Sequence, residues 1–67
     1  MTPNPHRDVA DAAAHLASYL SRMALADAKD GRRDVAARLW AHAHWYLDWA
    51  RSRRDMADAL DDRRNAA

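Results

Sequence analysis

Two histidine–aspartate pairs are the residues of this chain best suited to metal chemistry. His15 lies four residues after Asp11, and Asp48 lies four residues after His44. A spacing of four places both side chains on one side of a helix, and imidazole and carboxylate groups bind zinc and related metals. Both pairs, however, lie nearly opposite the apolar positions of their helices, so they diverge. We therefore predict no metal site.

Catalytic patterns are equally scarce. The chain has no cysteine and no glutamate, and its single glycine cannot form a phosphate-binding loop. Its three serines, Ser18, Ser21 and Ser52, lie in no nucleophile motif. The sequence therefore predicts neither an enzyme nor a cofactor.

Aromatic and arginine side chains offer a different kind of chemistry, which is the binding of another macromolecule. Trp, Tyr and Arg are the types enriched among the residues that dominate protein interfaces. They are concentrated in the second half of the chain. The predicted interface residues are Trp40, Trp45, Tyr46, Leu47 and Trp49. Arg51, Arg53 and Arg54 are predicted at its rim.

The composition limits what these residues can belong to. The chain has 67 residues, including 17 Ala, 10 Arg and 10 Asp, with one Lys and a net charge of +1. So short a chain without disulfides rarely stabilises itself except through very regular helix packing or a partner subunit. The Arg and Ala bias is typical of a high-GC bacterium or its phage. No segment reaches the length of a membrane span or has the apolar core of a signal peptide, so we expect a cytoplasmic protein.

Two long helices account for the whole chain. Asn4-Pro5 has the residue types of a helix start, Gly31 those of a helix stop, and Ala and Arg favour helix throughout. The predicted fold is all-α, with helix 1 over about 5–29, a turn at 30–32 and helix 2 over about 33–64. The short turn requires antiparallel neighbours, so residues 1–67 are predicted to form a single helical-hairpin domain.

Apolar residues recur on both helices with alternating spacings of three and four. We expect one row of helix 2 to face helix 1: Val35, Leu39, His42, Tyr46, Trp49, Arg53, Met56 and Leu60. The matching row of helix 1 is Val9, Ala13, Leu16, Leu20 and Met23. A second row of helix 2 lies beside the first: Ala36, Trp40, Ala43, Leu47, Ala50, Arg54 and Ala57.

The bulky apolar side chains of helix 2 cover more of its circumference than one partner helix can bury. They extend from Trp45 to Trp40 over an arc of roughly 220°, at 100° per residue, whereas one packed helix needs a stripe a little over ~100° wide. A second copy of the chain is the simplest partner that could bury the remaining apolar side chains of helix 2. We therefore predict a homodimeric four-helix bundle.

Around the turn, the chain resembles a single tetratricopeptide-type helical hairpin. Gly31 corresponds to the glycine between the helices of that repeat, Ala36 and Ala43 to its small residues, and Trp40 to its aromatic residue. The resemblance covers about 30 residues and departs from the repeat in the first helix. Positions expected to be Trp, Leu-Gly and Tyr are Leu20, Met23-Ala24 and Asp27. The resemblance implies a protein-binding scaffold.

Two functions remain open at this point. The first is a non-enzymatic interaction module, acting as an adaptor, regulator or inhibitor, that associates with itself or with a larger protein. The alternative is a small nucleic-acid-binding dimer using Arg51, Arg53 and Arg54 with the Arg63-Arg64 pair. Aspartates lie between these arginines in the sequence, so the positive electrostatic field around them is weak. We therefore favour a protein partner over nucleic acid.

Overall fold

The computed structural model describes residues 3–66 and contains two helices that pack side by side as an antiparallel hairpin. Helix α1 spans Pro5–Lys29 and helix α2 spans Arg33–Ala66, which confirms the predicted all-helical hairpin. Helix α2 continues two residues past its predicted end. The Cα atoms occupy 55 × 18 × 11 Å, so the molecule is a slab one helix thick.

The turn between the helices is closed by backbone hydrogen bonds around Gly31. The Gly31 amide donates to the Ala28 carbonyl, and the Arg32 amide donates to the Asp27 carbonyl at 2.8 Å. This is a Schellman motif, which requires a left-handed residue just past the helix. Gly31 has φ +83°, where an added side chain would be strained. The predicted role of Gly31 as the helix stop is confirmed.

Alanine forms the fully buried part of the contact between the helices. Every fully buried side chain in the described residues is an alanine, and four of them recur every seven residues on α2. On α2 these are Ala36, Ala43, Ala50 and Ala57. On α1 they are Ala10, Ala13, Ala17 and Ala24. We call this set the alanine seam. Methyl groups at a helix contact allow two backbones to approach towards the short end of the 8–10 Å range of helix packing distances.

Half of the predicted contact row on α2 is therefore wrong. At every second residue of that row, the buried side chain is the one that follows it in the sequence. Leu39, Tyr46, Arg53 and Leu60 are half-buried beside the seam, as expected. Val35, His42, Trp49 and Met56 are exposed, and the alanine that follows each of them is buried instead. The reason is backbone distance, since a methyl group lets the helices approach more closely than an indole or a thioether does.

The same shift occurs on α1. Ala13 and Leu20 lie at the contact as predicted, whereas Leu16 and Met23 are exposed and Ala17 and Ala24 are buried in their place. Large apolar side chains thus flank the seam on both helices instead of filling it.

Neither helix, within residues 3–66, is long and apolar enough to cross a membrane.

An alanine-to-leucine replacement should destabilise the protein more inside the seam than on the exposed surface of the same helix. Replacing Ala43 with Leu forces a branched side chain between two backbones in close contact, and such overpacking costs about 1–3 kcal/mol. The matched control is Ala41→Leu, on the exposed surface of the same helix. We expect Ala43→Leu to lower the free energy of unfolding by about 2 kcal/mol in urea denaturation, and Ala41→Leu to change it by less than about 0.5 kcal/mol. Equal effects would mean that the seam is not closely packed.

Candidate interaction surface

A cluster around Arg7 closes the open end of the hairpin. The Arg7 guanidinium donates to Asp58 Oδ1 at 3.1 Å and to Asp61 Oδ2 at 3.0 Å, joining α1 to α2. The carboxylate of Asp58 therefore pairs with Arg7 across the helices and not with Arg54, four residues before it on α2, and no ion pair of Arg54 occurs among residues 3–66.

Asn4 completes this cluster in an unexpected way. Its backbone is the extended N-cap of α1, as predicted, but its side chain does not cap the helix. Instead, Asn4 Nδ2 donates to the Ala57 carbonyl and to Asp61 Oδ1, both at 3.0 Å. Asn4 Oδ1 is buried without a partner. The cap residue is therefore used to join the two helices.

The Arg7 cluster also establishes which sides of the two helices share a face. On α2, Asp61 lies four residues after the seam residue Ala57. On α1, Ala14 lies four residues after the seam residue Ala10, and Arg7 lies seven residues before Ala14 in the same row. The 3.0 Å contact of Arg7 with Asp61 shows that these two rows lie on one side of the hairpin. The rows of residues immediately before the seam alanines must then share the opposite side.

That opposite side carries most of the exposed apolar surface. Seven of the ten large apolar side chains that are exposed among the described residues lie there, and we call this surface the broad face. They are Leu16, Tyr19, Met23, Val35, Trp45, Trp49 and Met56. Both helices contribute, so the surface is wider than an aromatic stripe of α2 alone. A contiguous exposed apolar surface of this kind usually marks an interaction site.

An aromatic cluster lies in the middle of α2 on the broad face. The ring centroids of Trp45 and Tyr46 are 5.1 Å apart in an edge-to-face arrangement. Trp49 lies 5.5 Å from Trp45 and 6.2 Å from Tyr46. Trp45 nevertheless remains 60% exposed, since its ring neighbours, Tyr46 and Trp49, belong to the same helix. Three of the five predicted interface residues are therefore brought together here.

The broad face is almost free of charge. The rows immediately before the seam alanines contain no acidic residue, lysine or arginine from Val9 to Met56, and Arg38 borders the face near the turn. His42 is the one imidazole in these rows. Its Nδ1 lies 2.8 Å from the Arg38 carbonyl, which can only accept, so Nδ1 carries the hydrogen. The surface is therefore complementary to apolar material.

The remaining two predicted interface residues lie elsewhere. Trp40 and Leu47 are four residues after seam alanines, on the side of the Arg7 cluster, and are 40% and 37% exposed. With Leu25 on α1 they form a smaller apolar surface, which we call the narrow face. The sequence grouped all five residues as one interface. The seam divides them between two sides of the hairpin.

The predicted rim arginines do not form one group, because Arg53 is separated from Arg51 and Arg54. Arg53 is half-buried beside the seam, with its Nη1 3.0 Å from His6 Nδ1. Arg51 is exposed and makes a loose 3.9 Å contact with Asp48. Arg54 is exposed on the narrow-face side. At the end of α2, Arg64 donates to the Pro3 carbonyl. They form no continuous cationic stripe.

The histidine–aspartate pairs stay separate. Asp11, His15, His44 and Asp48 are all exposed, and residues 3–66 contain no group of three potential ligands that could hold a metal ion.

Sequence reasoning missed the contribution of α1 to the surface. It assigned Leu16, Met23, Val35 and Met56 to the helix contact, although the seven-residue alanine repeat on α2 was a signal that the contact lay one position away.

We compared the chain with known protein families, curated proteins and solved structures. The chain matches no known family, and no curated protein and no solved structure is significantly similar to it. The tetratricopeptide resemblance therefore stays a prediction, and the surface must be interpreted from its own geometry.

The Arg7 cluster predicts a specific loss of stability in acid. The hydrogen bond from Arg7, with a second from Asn4, holds the pKa of the Asp61 carboxyl below its ordinary value. A group whose pKa is lowered by folding stabilises the protein above its unfolded pKa, about 3.9 for Asp, and loses that contribution as the pH falls through the folded value.

We therefore expect Asp61→Asn to be less stable than the parent at pH 6, and the difference to shrink as the pH falls below about 4. Asp62→Asn is the control, because Asp62 is exposed and forms no ion pair among residues 3–66. Thermal melting of the three proteins across pH 2 to pH 7 measures the effect. A constant difference between Asp61→Asn and the parent would contradict the assignment.

Proposed function

We propose that this chain is a non-enzymatic protein-interaction module that pairs with a second copy through its broad face to form a four-helix bundle. The observation that carries the proposal is the burial pattern of residues 3–66: every fully buried side chain there is an alanine, while ten large apolar side chains are exposed. An isolated hairpin leaves unburied the residues that normally stabilise a core.

The solvent-accessible area of the hairpin is large enough to include a protein–protein interface. The hairpin exposes 5161 Å², whereas a compact monomer of 7.6 kDa exposes about 4,300 Å². Part of this difference reflects the elongated shape, with a radius of gyration of 15.7 Å against about 11 Å for a compact chain of this length. The excess is on the order of 900 Å², and a stable interface of standard size covers about 800 Å² on each partner.

The chemistry of the broad face favours a second copy as that cover. In a two-fold dimer, a surface meets itself, so any row of like charges on it would be opposed by the same charges. The broad face largely avoids this conflict, since the rows before the seam alanines carry no acidic residue, lysine or arginine between Val9 and Met56, and the row of Trp45 adds only Arg38. Two such faces bury the Trp45 cluster in the layout of a four-helix bundle.

The distribution of arginines gives less support to the nucleic-acid alternative. Phosphate binding calls for cationic side chains along one surface. Arg51 and Arg54 lie on one side of α2 with aspartates around them, whereas Arg53 lies beside the seam and is engaged with His6. The geometry therefore favours a protein partner over a phosphate backbone.

Solution mass tests the proposed dimer. By light scattering across the micromolar range, we expect twice the chain mass of 7.6 kDa. Trp45→Asp places a carboxylate in the centre of the broad face, where pairing would bury it unpaired. The expected result is a dissociation constant at least about a hundredfold higher, which corresponds to ~3 kcal/mol.

Trp40→Asp is the matched control, because it makes the same replacement on the narrow face. We expect it to remain dimeric. Tryptophan emission provides a second measurement, since it should shift to the red on dilution of the parent as the Trp45 cluster meets water. A parent that stays monomeric at millimolar concentration would overturn the proposal, and so would equal effects of the two variants.

A further inference from the structure

We infer that pairing of two broad faces is controlled by the protonation state of His42. The copies associate while both imidazoles are neutral and separate when the imidazoles gain a proton in mild acid. The inference rests on the proposed function, because it describes the regulation of the same surface. His42 is the one imidazole in the rows immediately before the seam alanines, so it is the histidine that pairing would bury.

His42 lies near the middle of the broad face. Its row on α2 places it between Val35 and Trp49, which are both exposed. The contact of His6 with Arg53 sets the register of the two helices, and in that register His42 lies level with the middle of α1. A second copy seated on the broad face would therefore enclose the imidazole in the centre of the contact, away from water.

The hydrogen bonding of the ring determines where the proton is gained. Nδ1 of His42 donates to the Arg38 carbonyl at 2.8 Å, since a carbonyl can only accept. In the neutral ring, Nε2 therefore carries no hydrogen and takes up the proton in acid. In the separate hairpin the resulting charge is hydrated, because His42 is exposed. In the paired state the same charge needs an acidic partner, since an unpaired buried charge is strongly unfavourable.

Within residues 3–66, the hairpin offers no such partner. None of the residues one, three, four or seven positions from His42 on α2 is acidic. Asp48, the nearest acidic residue in the sequence of α2, lies outside the broad face, 3.9 Å from Arg51. The ionisable side chains that face or border the imidazole are phenols, guanidiniums and a second imidazole. They are Arg38 and Tyr46 on α2 and His15, Tyr19 and Arg22 on α1.

A second copy supplies no acidic partner either. Its broad face is the same surface, whose rows before the seam alanines carry no acidic residue between Val9 and Met56. The rows of Trp45 and Tyr19 add only the positive charge of Arg38. This holds for either relative direction of the two copies, because every row of the broad face is included. Pairing therefore removes water from the imidazole and adds positive charge near it, and both effects oppose protonation.

The other three histidines lie in different surroundings. His15 and His44 are exposed outside the rows immediately before the seam alanines. His6 lies at the open end of the hairpin, where its Nδ1 is 3.0 Å from Arg53 Nη1. A replacement of His44 therefore provides a matched control for the same replacement of His42.

The test compares the dissociation constant of the dimer at pH 7.5 and pH 5.5, by sedimentation equilibrium at constant ionic strength. Histidine side chains in water are half protonated near pH ~6.5, and one pH unit lower each imidazole weakens association by a factor of about ten. A dimer contains two copies of His42, so we expect the dissociation constant to be about a hundredfold higher at pH 5.5. Both pH values lie above the range in which Asp61 takes up a proton.

Three variants assign the response to one side chain. His42→Gln keeps a neutral polar group at this position, and His42→Leu extends the apolar surface. Neither replacement can gain a proton, so we expect each variant to dimerise with a dissociation constant that changes by less than about threefold between the two pH values. His44→Gln should keep the full response of the parent.

Three results would overturn the inference while leaving the dimer intact. They are a parent dimer of equal affinity at both pH values, a response that His42→Gln and His42→Leu both retain, and a response that His44→Gln removes. A parent that is monomeric at pH 7.5 and millimolar concentration would instead contradict the proposed dimer, and the inference would fail with it.

Discussion

The close approach of two helices along alanine is the constraint on which the rest of the structure depends. A methyl group contributes on the order of 0.8 kcal/mol when buried, well below the 1.5–3 kcal/mol of a leucine or phenylalanine. The alanine seam therefore fixes the geometry of the hairpin while contributing little of the hydrophobic free energy available to it. Because the contact is narrow, every larger apolar side chain is placed beside it, on one of two sides.

The hairpin itself was predictable from local signals. Asn4-Pro5 and Gly31 mark the helix boundaries through backbone preferences that do not depend on the rest of the molecule, and both positions are confirmed. The choice of contact row was not local. Hydrophobicity ranks Trp49 and Met56 above Ala50 and Ala57, yet the alanines are buried because packing distance, a property of both helices together, decides the row.

The same limit explains which side chains can be grouped from the sequence. Trp45, Tyr46 and Trp49 lie together in the structure, and neighbours on one helix can be placed by angle alone. Trp40 and Leu47 lie on the other side of the seam, because the line dividing the faces depends on the contact row. The role of Arg7 was also not apparent. Its carboxylate partners, Asp58 and Asp61, are more than fifty residues away in sequence, and charge patterns within one helix do not show them.

In the proposed dimer, a seam of alanine would couple folding to association. A hairpin with larger residues between its helices would gain stability alone and leave less apolar surface for partners. Here, the residues able to contribute the larger hydrophobic term, Leu16, Met23 and Trp49 among them, are exposed in the hairpin and would become buried if a second copy covered them. Association through the broad face would then supply much of the stability of the fold, and the apparent stability would rise with protein concentration. A two-sided hairpin of this kind can be stabilised on one side and still present the other.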